Sequence, residues 1–115
     1  MAQLTVTSRT AGDVTLLGLA GKITISGGDV ELREALDRQL DDGARKLLLD
    51  LREVTGVDSA GIGELVRSLT RSSNRDGSLK LLHPSPKLRD LLTVTQLITA
   101  FDVFDDEDEA VKSFA

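Results

Sequence analysis

The chain has 115 residues, of which 40% are hydrophobic and 29% charged, an ordinary globular composition. It contains no cysteine, which excludes disulfides, thiolate metal sites and cysteine nucleophiles. The net charge of −5 sits in the tail: residues 1–101 carry 13 acids and 13 bases and residues 102–115 carry 6 and 1, so the basic excess that nucleic-acid binding requires is missing.

The N-terminus Met1-Ala2-Gln3-Leu4-Thr5 lacks the charged and apolar regions of a signal peptide, and a cytoplasmic location is the default expectation. Leu4–Thr7 and Val14–Leu19 read as two strands joined through Ala11-Gly12-Asp13, a hairpin. Val30, Leu32, Ala35, Leu36 and Leu40 fall on one face of a helix that Asp41-Asp42-Gly43 ends. Leu47–Leu51, broken only by Asp50, suits a strand buried on both faces. Ile62, Leu65, Val66 and Leu69 keep the spacing of an amphipathic helix that runs to about Asn74. Leu79–Leu82 is another strand, and Pro84 and Pro86 start a helix through Leu92. Phe101–Phe104 reads as a last strand and Asp105–Phe114 as a closing helix. No apolar run approaches the ~20 residues of a membrane span, so no membrane insertion is expected. Strands alternating with helices after a hairpin predict an α/β fold. It is one domain over residues 1–115, with a mixed β-sheet of four to five strands and about four helices packed mainly on one face.

The run Val57-Asp58-Ser59-Ala60-Gly61-Ile62-Gly63 carries the functional signal. Asp58 is a strong N-cap and Ser59 takes the first helical position. Each interior glycine costs a helix about 1 kcal/mol against alanine. Two of them beside one serine predict that another molecule approaches the backbone there. Ser59, Gly63 and Arg67 fall on the flank of the apolar stripe. Arg67, Arg71 and Arg75 form a basic stripe, either a solvated helix face or a docking edge for an acidic partner.

Catalytic alternatives fail on residue type. A hydrolase elbow needs Gly-x-Ser-x-Gly, but Val57 occupies the first glycine position, and the one histidine, His83, precedes Pro84. Gly21-Lys22 lacks the following Ser or Thr of a phosphate-binding loop, and Gly61-Ile62-Gly63 lacks the third glycine of a dinucleotide loop. A receiver domain would need an acidic pair after its first strand, which Leu4–Ser8 does not offer. The acids from Asp105 to Glu109 lack the spacing of a calcium loop. No catalytic residue, metal site or cofactor is expected.

Asp58-Ser59-Ala60-Gly61-Ile62-Gly63 resembles the signature of the STAS family of anti-sigma-factor antagonists. The resemblance extends to Gly18–Thr24, Leu32–Leu36, Ser85–Leu92 and Phe101–Ala110. It implies that Ser59 is a phosphorylation site and that Asp58, Ser59, Ala60, Gly61, Gly63, Thr24 and Arg67 form a partner-binding surface. Many members carry Asp where this chain has Thr24, and the loop Ile25-Ser26-Gly27-Gly28 is about one residue longer than usual. The implied partners are an anti-sigma factor that is also a serine kinase and a PP2C-type phosphatase that resets the switch. Similar stretches occur in STAS subunits that clamp the ATPase of lipid-transporting ABC complexes, the alternative role.

Overall fold

The computed structural model describes residues 3–115. Strand β1 (Leu4–Ala11) turns through Gly12-Asp13 into β2 (Val14–Ile23). Helix α1 (Asp29–Asp41), strand β3 (Lys46–Val57) and helix α2 (Ser59–Asn74) follow. Strand β4 (Ser78–Leu82), helix α3 (Pro86–Val94), strand β5 (Val103–Phe104) and helix α4 (Glu107–Lys112) complete the chain. The five strands lie in the sheet in chain order, with β1 antiparallel to β2 and every later pair parallel.

Parallel neighbours in chain order need crossovers of one hand stepping in one direction, and these place their helices on a common face. Leu32, Leu36 and Leu40 of α1, Ile62 and Leu65 of α2, and Leu88 and Leu92 of α3 bury against Leu17, Leu19, Leu47, Leu49 and Leu51. Among the described residues the other face is covered by α4, whose Ala110 packs on Val14, Leu16, Leu48 and Leu82. Leu48 thus points away from Leu47 and Leu49, and β3 is buried on both faces as its continuous apolar run requires.

The first three strands run further than their apolar patterns predict. β1 extends to Ala11, β2 to Ile23 and β3 to Val57. β2 and β3 stay paired to Ile23 and Val57 through two irregularities of register, so backbone pairing continues where side-chain alternation has stopped. Val30 is a correction to the expected α1 face: it is 46% exposed, because Leu32, Leu36 and Leu40 define the stripe. Helix α3 begins at Pro86 with Ser85 as its cap, leaving Pro84 outside, and it runs on to Val94. Only Val103 and Phe104 pair as β5, while Phe101 is buried in the main core. Helix α4 is shorter than the expected Asp105–Phe114, since Asp106 caps its start and it ends at Lys112. No helix among the described residues is long and apolar enough to cross a membrane.

Candidate functional site

Ile23 and Val57 are register partners at the ends of neighbouring parallel strands. The loop after β2 and the first turn of α2 therefore meet at one end of the sheet. In open α/β sheets the carboxyl ends of the strands are where ligands are met.

Asp58 joins the two segments. Its Oδ1 accepts from the Gly61 N–H at 3.0 Å, capping α2, and its Oδ2 accepts from the Ile25 N–H at 3.1 Å. Its own N–H donates to the Ile23 carbonyl at 3.4 Å. The amides of Gly61 and then Ile25 hold its carboxyl below the usual aspartate range, because hydrogen bonds to the anion favour ionisation. Both carboxylate oxygens are thus engaged within the chain.

The latched loop is ordered by its own bonds. Thr24 and Gly27 exchange backbone bonds of 2.9 and 3.1 Å, and the Thr24 hydroxyl lies 3.0 Å from that of Ser26 and 3.2 Å from the Gly27 carbonyl. Gly28, at φ 93°, turns the chain into α1, where its N–H donates to Glu31 at 2.8 Å. On this frame the Ile25 side chain stands 79% exposed.

Ser59 is the first residue of α2 and is exposed. Among the described residues its hydroxyl has no intramolecular partner. Ala60 beside it is half-buried. The two glycines divide. A Cβ on Gly61 would lie 1.9 Å from the Ile23 carbonyl oxygen, so this glycine lets α2 seat against β2. The expected approach of another molecule is not needed to explain it. A Cβ on Gly63 would meet nothing within 4 Å, so no internal contact requires a glycine there.

The basic stripe is neither a freely solvated face nor an unoccupied docking edge. Arg67 and Arg71 reach Asp37 of α1 at 3.0 and 3.3 Å, and Arg75 reaches Asp41 at 3.2 Å. Burial raises the Asp37 carboxyl, but hydrogen bonds and charge from Arg67 and Arg71 outweigh it and bring it below its ordinary value. Glu64, 6% exposed, accepts from Arg33 of α1, with Nε at 3.0 Å. Its second oxygen stands 4.0 Å from an Arg67 nitrogen, and neither atom has a hydrogen bond among the described residues. Arg67 therefore ties α2 to α1. His83 lies 2.6 Å from the Arg52 guanidinium, and no cluster of three metal-ligating side chains occurs among the described residues.

Sequence reasoning missed Ile25 and the Arg33–Glu64 pair. Each depends on segments about thirty residues apart coming together, and no local pattern announces that.

The family model for the STAS domain matches residues 5–110. The chain belongs to the STAS domain family. This STAS domain is 27% identical over 100 residues to a Thermotoga maritima protein named as an anti-sigma factor antagonist, covering 87% of this chain and 88% of that one. Its fold is similar to that of an anti-sigma factor antagonist from Mycobacterium paratuberculosis, with TM-score 0.83 and 19% identity over 96% and 92% of the two chains. It is also similar to the Bacillus cell-fate determinant SpoIIAA in its phosphorylated form, with TM-score 0.73 and 18% identity over 96% and 100%.

Proposed function

We propose that this STAS domain is an anti-sigma-factor antagonist that acts as a phosphorylation-controlled binding module. With Ser59 unmodified it binds an anti-sigma factor that is also a serine kinase, and the sigma factor is released. The kinase then transfers the γ-phosphoryl group of ATP to Ser59 Oγ. The bond to ADP breaks, the new P–O bond forms, and the serine proton passes to a base of the kinase. A PP2C-type phosphatase restores the hydroxyl. The chain itself supplies the acceptor and its placement, with no catalysis of its own, and the cycle runs in the cytoplasm.

The observation that carries this reading is the exposed hydroxyl of Ser59, without a partner among the described residues, on a doubly latched frame. Asp58 fixes the helix start to the loop through two backbone amides, so the Ser59 backbone is held in place while its hydroxyl stays free to turn toward the phosphoryl donor. Gly63 leaves the next turn open to a partner's backbone, and Ile25 offers an apolar contact beside it. The named relative from Thermotoga maritima supports the same role.

The test is incubation with the cognate kinase and ATP, read by intact mass. One phosphate is expected on the wild type and none on Ser59→Ala. A phosphate mapped to Ser26 or Ser85 would refute the assignment. Capture of a transporter ATPase by phosphorylated and unphosphorylated protein alike would replace partner switching with the clamp role.

A further inference from the structure

Helix α4 is fastened differently from the other three. Helix α1 buries Leu32, Leu36 and Leu40, α2 buries Ile62 and Leu65, and α3 buries Leu88 and Leu92. The six residues of α4 bury a single side chain, Ala110, with Val111 and the following Phe114 half-buried beside it. A helix of that length is not stable on its own, so its contacts with the sheet hold it.

Those contacts are of two kinds. At the start of α4, Glu107 pairs with Arg9, and Asp105 just before it pairs with Arg89. All four side chains are exposed, and solvent screens such pairs. At the far end stands Lys80 of β4, whose side chain is only 14% exposed. Its Nζ donates to the Ser113 carbonyl at 3.0 Å and to the Ser113 hydroxyl at 2.9 Å. The same ammonium lies 4.5 Å from the centre of the Phe114 ring and 5.9 Å from that of Phe104, within reach of cation–π attraction. Among the described residues its one carboxylate neighbour is Asp102, at 3.9 Å. Burying an ammonium costs solvation that these contacts must offset, and opening of α4 returns it to water. The closed state of α4 thus rests on few apolar contacts and on one cation whose hydration opposes it.

We infer that α4 is a strap that opens as a unit of its own while the rest of the fold stays closed, and that Lys80 is the pin that keeps it shut. Beneath it lie Val14, Leu16, Leu48 and Leu82, all buried. They form an apolar platform on the face of the sheet opposite α1, α2 and α3. Opening bares this platform and leaves the main core intact, since no residue of α4 belongs to that core.

The chain has no cysteine, so a single introduced thiol reports its own burial. Val14→Cys places a thiol under α4, and Leu49→Cys places one in the main core. In native buffer the thiol at position 14 should react with iodoacetamide about a hundredfold faster than that at position 49, since it needs only the local opening. Hydrogen exchange of the unsubstituted chain should agree. The Ala110 and Ser113 amides, bonded to the Asp106 and Glu109 carbonyls at 3.0 Å, should exchange faster than those of Leu47 and Leu49 after correction for intrinsic rates. Adding Lys80→Ala should raise reactivity at position 14 about tenfold, because the contacts it removes exist only in the closed state. Arg9→Gln, at the solvent-screened end, should raise it less than about threefold. Circular dichroism of each variant confirms folding. Equal reactivity at the two positions, or α4 amides exchanging no faster than those of β3, would overturn the strap. A position-14 rate unmoved by Lys80→Ala would overturn the pin, and a fallen urea midpoint beside it would show that the Lys80 contacts outlast the opening. A larger effect of Arg9→Gln than of Lys80→Ala would overturn the pin as well.

Discussion

Gly61 and Gly63 look equivalent in the sequence, yet the structure gives them opposite physics. At Gly61 any side chain would collide with the Ile23 carbonyl, at 1.9 Å from an ideal Cβ. Gly61→Ala should therefore cost about 1–3 kcal/mol, the usual penalty for overfilling a packed contact, read as a lower urea midpoint. Gly63 is an open helical position, where Ala should gain up to about 1 kcal/mol. If a partner's backbone approaches there, the same Gly63→Ala change should weaken partner binding while raising stability. A variant both more stable and fully binding would remove Gly63 from the interface. Asp58 is the third informative residue. Its folded-state carboxyl lies below its unfolded value, so its contribution is present above the unfolded value and is lost as pH falls through the folded one. The Ile25 and Gly61 amides should then exchange with solvent faster as pH falls through the acid range, after correction for intrinsic rates. In Asp58→Ala both amides should exchange fast at neutral pH, and persistence of protection in that variant would show that the latch does not depend on the carboxylate.

At the scale of elements, α1 and α2 are fastened by Asp37, Asp41 and Glu64 against Arg33, Arg67, Arg71 and Arg75. The surface members contribute little each, because solvent screens them. Glu64 differs in being almost fully buried. Glu64→Ala should cost about 1–3 kcal/mol, less than removing one partner from a fully buried pair, since Arg33 remains in contact with water. Combined with Arg33→Ala in a double-mutant cycle, the loss should be clearly less than additive; strict additivity would mean that the pair does not couple the helices. The length of α2 is legible in its sequence, because the stripe of Ile62 and Leu65 starts after a strong cap and Asn74 precedes Asp76-Gly77. The destination of its arginines is not legible, because it depends on which helix lies alongside. Its buried Ser68 and Ser72 also escape pattern reading; each satisfies its hydroxyl on the carbonyl four residues earlier, at 2.8 Å. The ends of β2 and β3 were hidden for a related reason. Arg52, Glu53, Thr55 and Gly56 show no alternation, and pairing with β2 alone carries the strand to Val57. Those extra residues place Asp58 within reach of Ile25, so the position of Ser59 could be read locally but its latch could not.

For the whole molecule, the parallel order from β2 to β5 sends the N-termini of α1, α2 and α3 to the same end of the sheet. Their unpaired amides and dipoles favour an anion there. A phosphate on Ser59 adds about −1.5 to −2 charges to an exposed position, and α2 partly offsets it without displacing the Asp58 cap. The free protein should therefore keep its fold, and circular dichroism of the phosphoprotein should overlay that of the unmodified chain. A bound partner would instead bury that charge in its interface, where an uncompensated anion costs several kcal/mol. A cost of ~3 kcal/mol weakens affinity about a hundredfold, enough for a switch. Ser59→Asp should weaken binding less, having about half the charge and fewer acceptor oxygens. Calorimetric titration of the kinase partner with wild type, Ser59→Ala, Ser59→Asp and phosphoprotein should rank affinities in that descending order, the first two nearly equal. Phosphoprotein binding as tightly as wild type would sink the electrostatic mechanism, and a large loss of helix on phosphorylation would show that the switch works by unfolding α2.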